Sequence, residues 1–513
     1  MASAQLANNS KYANVTESGL RLVLIVAGVM AASLMQTLDS TITNVALPNI
    51  QGNLGASQDE GTWVVTSYTI AAIIVIPITP WLQNRFGRKN YYVASIVGFT
   101  VASVLCGASG DLYLLIFWRF VQGLFGGGLL ATGQSILRDS FPPNKLGVSQ
   151  GIFALGAIMG PALGPPLGGI IVDNASWNWV FDINVAPGIF SALLLFALLK
   201  DPTVPRKVPI DFIGLSLLSV GLGTMQYVLT EGERHYWFAD TTVAIMAVLS
   251  VSSLVSFVFW ELNGTGNPVV DLRVLRNRSV SAGSLLALAL GMVILGSTYT
   301  LPQFTQGPLG FTPTLSGQLF ILRALPIALA TPIIVRLVSK IDPRYFLGVG
   351  FIVMAVGTGL QGLVTTGQAS FWTFAVALVL VGLGAAMLFV PLTIAVLGAT
   401  TPQEGPKASA FVNLAVQLGG SIAVALLDVV IDRRWAFHSA VLGGAIVPSN
   451  TTVQQYLAQG TAGQLAQLVN SQAAILAYAD ATFVTALIAA VFMPLVFIMR
   501  KPGKPAGPVE VGG

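Results

Sequence analysis

Apolar residues in this chain run in long blocks, without the strict alternation of strands or the narrow stripe of a soluble amphipathic helix. Blocks long enough to cross about 30 Å of hydrocarbon as helices fall at 21–46, 62–82, 91–109, 112–135, 147–171, 183–199, 211–230, 241–261, 279–302, 314–338, 345–364, 370–397, 408–431 and 478–499. The pattern predicts an all-α integral membrane protein with fourteen transmembrane helices. Two polar intervals stand out. Residues 200–211 carry Pro202, Pro205 and Pro209. Residues 432–477 read as a long outer loop with Gln- and Ala-rich helical patterning over Val453–Ala474; a loosely ordered loop and a lid or docking surface are both open readings.

Composition narrows the class. Of 513 residues, 54% are hydrophobic and 9% charged, against about 25% charged in a soluble domain. A water-soluble core with a polar shell is excluded. Where the charges sit matters more than their sum. With the N-terminus placed in the cytoplasm, inner segments hold 20 of the 25 Lys and Arg residues, outer loops hold three, and Arg119 and Arg323 lie within spans. That bias predicts cytoplasmic termini at both ends of the chain. The first block is too long for a signal peptide and is read as a retained helix. The single cysteine, Cys106, cannot form an intrachain disulfide. His235 and His438 fall in predicted loops, so no metal site is expected.

A weak repeat suggests how the helices are grouped. Trp81-Leu-Gln-Asn-Arg-Phe-Gly-Arg-Lys89 follows the second block, and Arg336-Leu-Val-Ser-Lys-Ile-Asp-Pro-Arg344 follows the tenth. If blocks seven and eight are an insertion, the order is 6 + 2 + 6. The expected parts are a cytoplasmic segment 1–20, a six-helix bundle 21–199, a linker with two inserted helices 200–278, a second bundle 279–499 that includes 432–477, and a tail 500–513. Paired helical repeats about a midplane site are the architecture of secondary transporters.

Ionisable groups at membrane depth point to chemistry. A carboxylate such as Asp39 costs roughly 2.5–3.5 kcal/mol on insertion scales, and Arg119 is a permanent charge able to answer it. Burial favours the neutral acid and a nearby cation favours the anion. A carboxylate alternating between such surroundings carries protons; a static ion pair locking two helices is the other reading. Gly156, Gly160, Gly164 and Gly168 form one small-residue stripe, a surface for close helix approach, and Pro161 and Pro165 allow bending. Arg323 is a second charge in mid-span, open to a substrate role or a structural one. Polar residues at membrane depth make the expected lining of a midplane cavity: Gln36, Asn44, Tyr68, Gln122, Gln134, Tyr299, Gln303, Asn413 and Gln417.

Four motifs in order carry a family resemblance that runs essentially end to end. They are Leu38-Asp-Ser-Thr-Ile-Thr-Asn-Val-Ala-Leu-Pro48, Leu114-Leu-Ile-Phe-Trp-Arg-Phe-Val-Gln-Gly123, Gly156-Ala-Ile-Met-Gly-Pro-Ala-Leu-Gly-Pro-Pro-Leu-Gly-Gly169 and Trp177-Asn-Trp-Val-Phe-Asp-Ile-Asn184. The chain resembles the fourteen-span drug:proton antiporters of the major facilitator superfamily, EmrB/QacA type. The resemblance implies proton-coupled export of hydrophobic compounds, with proton transfer at Asp39 and Arg119 and a conformational role for the glycine-proline helix. It implies a gate loop at Arg85, Gly87 and Arg88, although Pro80 stands where the family usually has Gly and Asn84 where it usually has Asp; a plain positive-inside anchor is the other reading of this turn. Val416 likewise stands where relatives often carry Arg. The proton gradient would be the energy source, with no cofactor. In a Gram-negative cell the implied setting is the inner membrane, with an EmrA-like periplasmic adaptor and an outer-membrane channel as partners. Rival readings are a dedicated exporter of one metabolite, fatty acid or siderophore, and a proton-linked uptake symporter, against which the glycine-proline stripe argues.

Overall fold

A computed structural model describes residues 17–142, 145–201, 211–264, 268, 270–338, 340–401, 404–447, 453–454, 457 and 461–499. The segment 1–16, most of the proline-rich connector (202–210) and the tail 500–513 lie outside the described residues. Among the described residues, fourteen helices are long and apolar enough to cross a membrane: α1 Gly19–Leu54, α2 Gln58–Phe86, α3 Arg88–Gly107, α4 Leu112–Ser140, α5 Leu146–Asn174, α6 Trp179–Leu198, α7 Phe212–Glu231, α8 Thr241–Asn263, α9 Arg278–Gln306, α10 Pro313–Val338, α11 Pro343–Val364, α12 Ala375–Gly398, α13 Gly405–Gly444 and α14 Ala462–Phe492.

Short polar residues start many of these helices, because the first backbone N–H groups need acceptors. Ser57 and Glu60 form a reciprocal box at the start of α2. Asp111, Asp211, Asp240 and Asn277 accept backbone N–H groups at the starts of α4, α7, α8 and α9. Between α2 and α3 there is a single residue, Gly87, at φ +84°. Side chains rarely adopt that backbone region, so glycine makes this abrupt turn possible.

Neighbour relations in the first six helices recur in the last six. α1 packs on α5 and α6, α2 and α3 pack on α4, and α3 packs on α6. Likewise α9 packs on α13 and α14, α10 and α11 pack on α12, and α11 packs on α14. The two sets meet where α5 lies along α10 and α13 along α2. α7 and α8 pack against each other, and α7 rests on α2 and α13. The arrangement is thus 6 + 2 + 6.

The interval 432–477, expected as an outer loop with helical patterning over Val453–Ala474, is largely helical among its described residues: α13 continues to Gly444 and α14 already begins at Ala462. Asp432, Arg433 and Arg434 end the apolar block, but nothing before Gly443 breaks the helix, so charge stopped the hydropathy signal without stopping the hydrogen-bond ladder. At 1.5 Å per residue the 40-residue α13 is about 60 Å long, roughly twice the hydrocarbon thickness. His438, expected in a loop, therefore sits on α13, where its ring nitrogen lies 2.7 Å from Asp480 of α14 and Arg434 binds the same carboxylate.

Candidate transport site

Asp39 of α1 and Arg119 of α4 meet as a fully buried ion pair, Nη1 to Oδ2 at 2.7 Å. The pair is boxed in by three further helices. Gln122, one turn beyond Arg119, donates to Asp39 Oδ1 at 3.0 Å and accepts from Arg119 at 2.6 Å. Asn184 at the start of α6 donates to the same oxygen at 2.7 Å. Ser103 of α3 accepts from both amides, at 2.6 and 3.3 Å. Arg119 Nε donates to the Val64 carbonyl of α2 at 3.0 Å, and the guanidinium lies 4.4 Å from the Tyr68 ring centroid. Low dielectric strengthens every bond in such a box and makes any unmet charge costly.

Both carboxylate oxygens face N–H groups: Arg119 at one, Gln122 and Asn184 at the other. The box thus joins α1 to α4 and α6 through one side chain.

The glycine stripe of α5 faces α1. A Cβ at Gly160 would collide with Thr37 and one at Gly164 with Thr41, while one at Gly156 would stand 2.8 Å from Met30 and one at Gly168 2.9 Å from Ile42. These α1 residues bracket Asp39. On its other side α5 meets α10, where a Cβ at Gly317 would stand 2.8 Å from the Pro166 nitrogen. The glycine-proline helix is thus wedged between the carboxylate's helix and the second bundle.

The residues expected to line a midplane cavity make hydrogen bonds in separate groups. Gln122 belongs to the ion-pair box. Tyr68 is also part of it, buried against Arg119, with its hydroxyl accepting from Gln36 at 3.2 Å. Asn44 is exposed and donates to the Ser40 carbonyl. Gln134 joins the bundles by accepting from Ser409 and, at 3.2 Å, from Asn413; Gln417, a turn further on, is half-buried. Tyr299 donates to Asp428 at 2.5 Å, and Tyr478 donates to Gln303 at 3.3 Å. Arg323 of α10 is buried and donates to Thr298 at 2.9 Å.

The expected gate loop is a one-residue turn at Gly87. Arg88 is the first residue of α3, buried, and pairs at 2.5 Å with Asp139 near the end of α4. With Asn84 in place of an acid, the carboxylate comes from another helix. Arg85 is half-buried in the last turn of α2. At the same end of the molecule, Arg138 reaches across the bundles and donates to the Leu397 and Thr400 carbonyls at 3.1 and 3.5 Å. Asn184 and Arg138 were not singled out from sequence. An asparagine closing an aromatic motif and a cation at a span end look like ordinary helix-end residues.

Fourteen membrane helices, twelve of them in two similarly packed sets of six, with a charged pair buried between helices, define a secondary transporter. The family model of the Major Facilitator Superfamily matches residues 29–322 and 283–449, and the chain belongs to that superfamily. It is 33% identical over 498 residues to the multidrug export protein EmrB of Escherichia coli K12, covering 94% of this chain and 96% of that one. The EmrB of Haemophilus influenzae is 35% identical over 473 residues, covering 89% and 92%. The fatty acid resistance protein FarB of Neisseria gonorrhoeae is 32% identical over 506 residues, covering 94% and 97%. Among solved structures, a bacterial homologue of the lysosomal transporter Spinster superposes with a TM-score of 0.58 at 14% identity, covering 96% of this chain and all of that one; it shares the fold.

Proposed function

We propose that this protein exports hydrophobic toxic compounds across the inner membrane of the cell, exchanging them for protons by alternating access. The observation that carries the reading is the shut box around Asp39. Its carboxylate is held by donors from α4 and α6, and its helix is pressed on the glycine face of α5. Motion of α5 against α10 as the bundles rock would shift α1 and open the box. Asp39 then takes a proton on one side of the membrane and yields it on the other, when Arg119, Gln122 and Asn184 close on it again. The names of the EmrB relatives support drug export as the cargo, and that of the FarB relative keeps a dedicated fatty acid exporter as the second reading.

The excess of Lys and Arg in the loops at one end supports cytoplasmic termini. The extensions of α13 and α14 lie at the opposite end, with Phe437 and Val441 exposed on α13. They offer a surface for a periplasmic adaptor leading to an outer-membrane channel. Loss of resistance when neighbouring adaptor and channel genes are deleted would support those partners; undiminished resistance would remove them.

The coupling test uses purified protein in liposomes with an imposed pH gradient. Adding a lipophilic substrate should evoke proton flux in the wild type and none in Asp39→Asn. Substrate movement without proton flux in either protein would end the antiport reading.

A further inference from the structure

Arg323 is the one mid-span cation that the coupling scheme leaves unused. The residue is 4% exposed, and its guanidinium carbon lies over the Phe320 ring, 4.9 Å from the centroid. One terminal nitrogen donates to Thr298; the other, Nη1, is buried without a partner. Arg119 also has one unpartnered nitrogen, but Asp39 neutralises its charge. Arg323 pairs with no carboxylate among the described residues; Asp428, on α13, is held by Tyr299. A guanidinium cannot shed its proton to escape burial, so a positive charge without a counter-ion is held at membrane depth.

Packing shows where this charge stands. In the first bundle Gly123 of α4 comes up against the Tyr68 carbonyl of α2. In the second, Gly382 of α12 comes up against the Arg323 carbonyl of α10. Given the shared helix order, Arg323 occupies in its bundle the place that Tyr68, beside the Asp39–Arg119 pair, occupies in the first.

We propose that Arg323, with Thr298, is the recognition site for the carboxylate of an anionic amphiphilic substrate, bound in the second bundle apart from the proton site. The guanidinium presents Nη1, and the substrate carboxylate supplies the missing counter-charge and acceptor. This deepens the export reading by naming a substrate class and rests on it. The site is distinct from Asp39, so substrate and proton need not compete for one carboxylate.

The test is equilibrium binding to purified protein in phosphatidylcholine nanodiscs, which lack anionic lipid. The probes are pyrenebutyrate, its neutral analogue pyrenebutanol, and tetraphenylphosphonium. Wild type should bind pyrenebutyrate at least about tenfold more tightly than pyrenebutanol. Arg323→Gln should erase that preference and leave tetraphenylphosphonium binding unchanged, showing that the variant is folded; Arg323→Lys should keep part of it. Equal affinity of wild type for the two pyrenes, or a loss in Arg323→Gln that falls alike on all three probes, overturns the assignment. If wild type holds tetraphenylphosphonium but not pyrenebutyrate, this inference falls while multidrug export stands. If it binds no probe, both fall.

Discussion

The two bundles repeat each other's helix packing but not their treatment of charge. In the first, Asp39 and Arg119 neutralise one another inside a box of amide and hydroxyl groups from α3, α4 and α6, closed by a carbonyl of α2. In the second, Arg323 bonds Thr298 and Asp428 bonds Tyr299, separately. A glycine seats the α4–α2 contact in one bundle and the α12–α10 contact in the other. Backbone packing is therefore shared, and the side chains placed on it have diverged. The lesson is physical: packing needs small residues at fixed spacing, whereas charge placement answers to what each bundle must hold.

The contrast is most sharply tested by deleting each guanidinium in turn. Arg119→Ala leaves Asp39 buried without its partner and should cost about 3–5 kcal/mol, read as a large fall in thermal stability in detergent. Arg323→Met removes a buried charge that has no counter-ion, so its melting temperature should match or exceed the wild type's. A comparable loss in both variants would break the distinction between the bundles.

Gly160→Val should cost about 1–3 kcal/mol by overpacking, because the new side chain meets Thr37. Transport should fail while substrate binding in the second bundle is kept. Loss of both together would mean that α5 does not separate the two functions.

A smaller effect is expected where the bundles touch. Arg138→Ala deletes the hydrogen bonds to Leu397 and Thr400, each worth about 1 kcal/mol net. Cysteines introduced at that end should label up to about tenfold faster if these bonds hold the bundles together, and at the wild-type rate if they do not.

The smallest effect concerns pH. Asp271, before α9, pairs at 2.7 Å with Lys407 of α13. Burial pushes its carboxyl up, but the Lys407 hydrogen bond and charge and the Arg273 amide outweigh it, so the group lies below its ordinary value. The contribution is present above about pH 4 and is lost as pH falls through the lower folded value. Because the pair is partly exposed, it should not exceed about 1 kcal/mol. Asp271→Asn should lower the neutral plateau of a stability–pH curve by up to that amount and leave the acid end, where the wild-type group is already protonated, almost unchanged.

Much of this was legible in the chain. Membrane spans follow from the length of apolar blocks, because no unpaired backbone survives in hydrocarbon and a helix satisfies itself locally. Asp39, Arg119 and the α5 glycines were visible because charge and close approach at that depth are expensive or spatially demanding. Where hydropathy failed, at 432–477, it failed because it reports solvent and not hydrogen bonding. The charged turn of α13 left the membrane as a helix.

Tertiary structure alone decided which groups meet. Nothing in sequence separates Gln122, which holds the carboxylate, from Gln134, which joins the bundles, for both are amides on α4. Asn184 reaches Asp39 across 145 positions of chain, and Arg88 finds Asp139 only because α3 returns beside α4. A helix fixes which residues share its face. Which neighbour that face meets depends on the packing of the whole bundle, and so do the pairing of Asp39 and the isolation of Arg323.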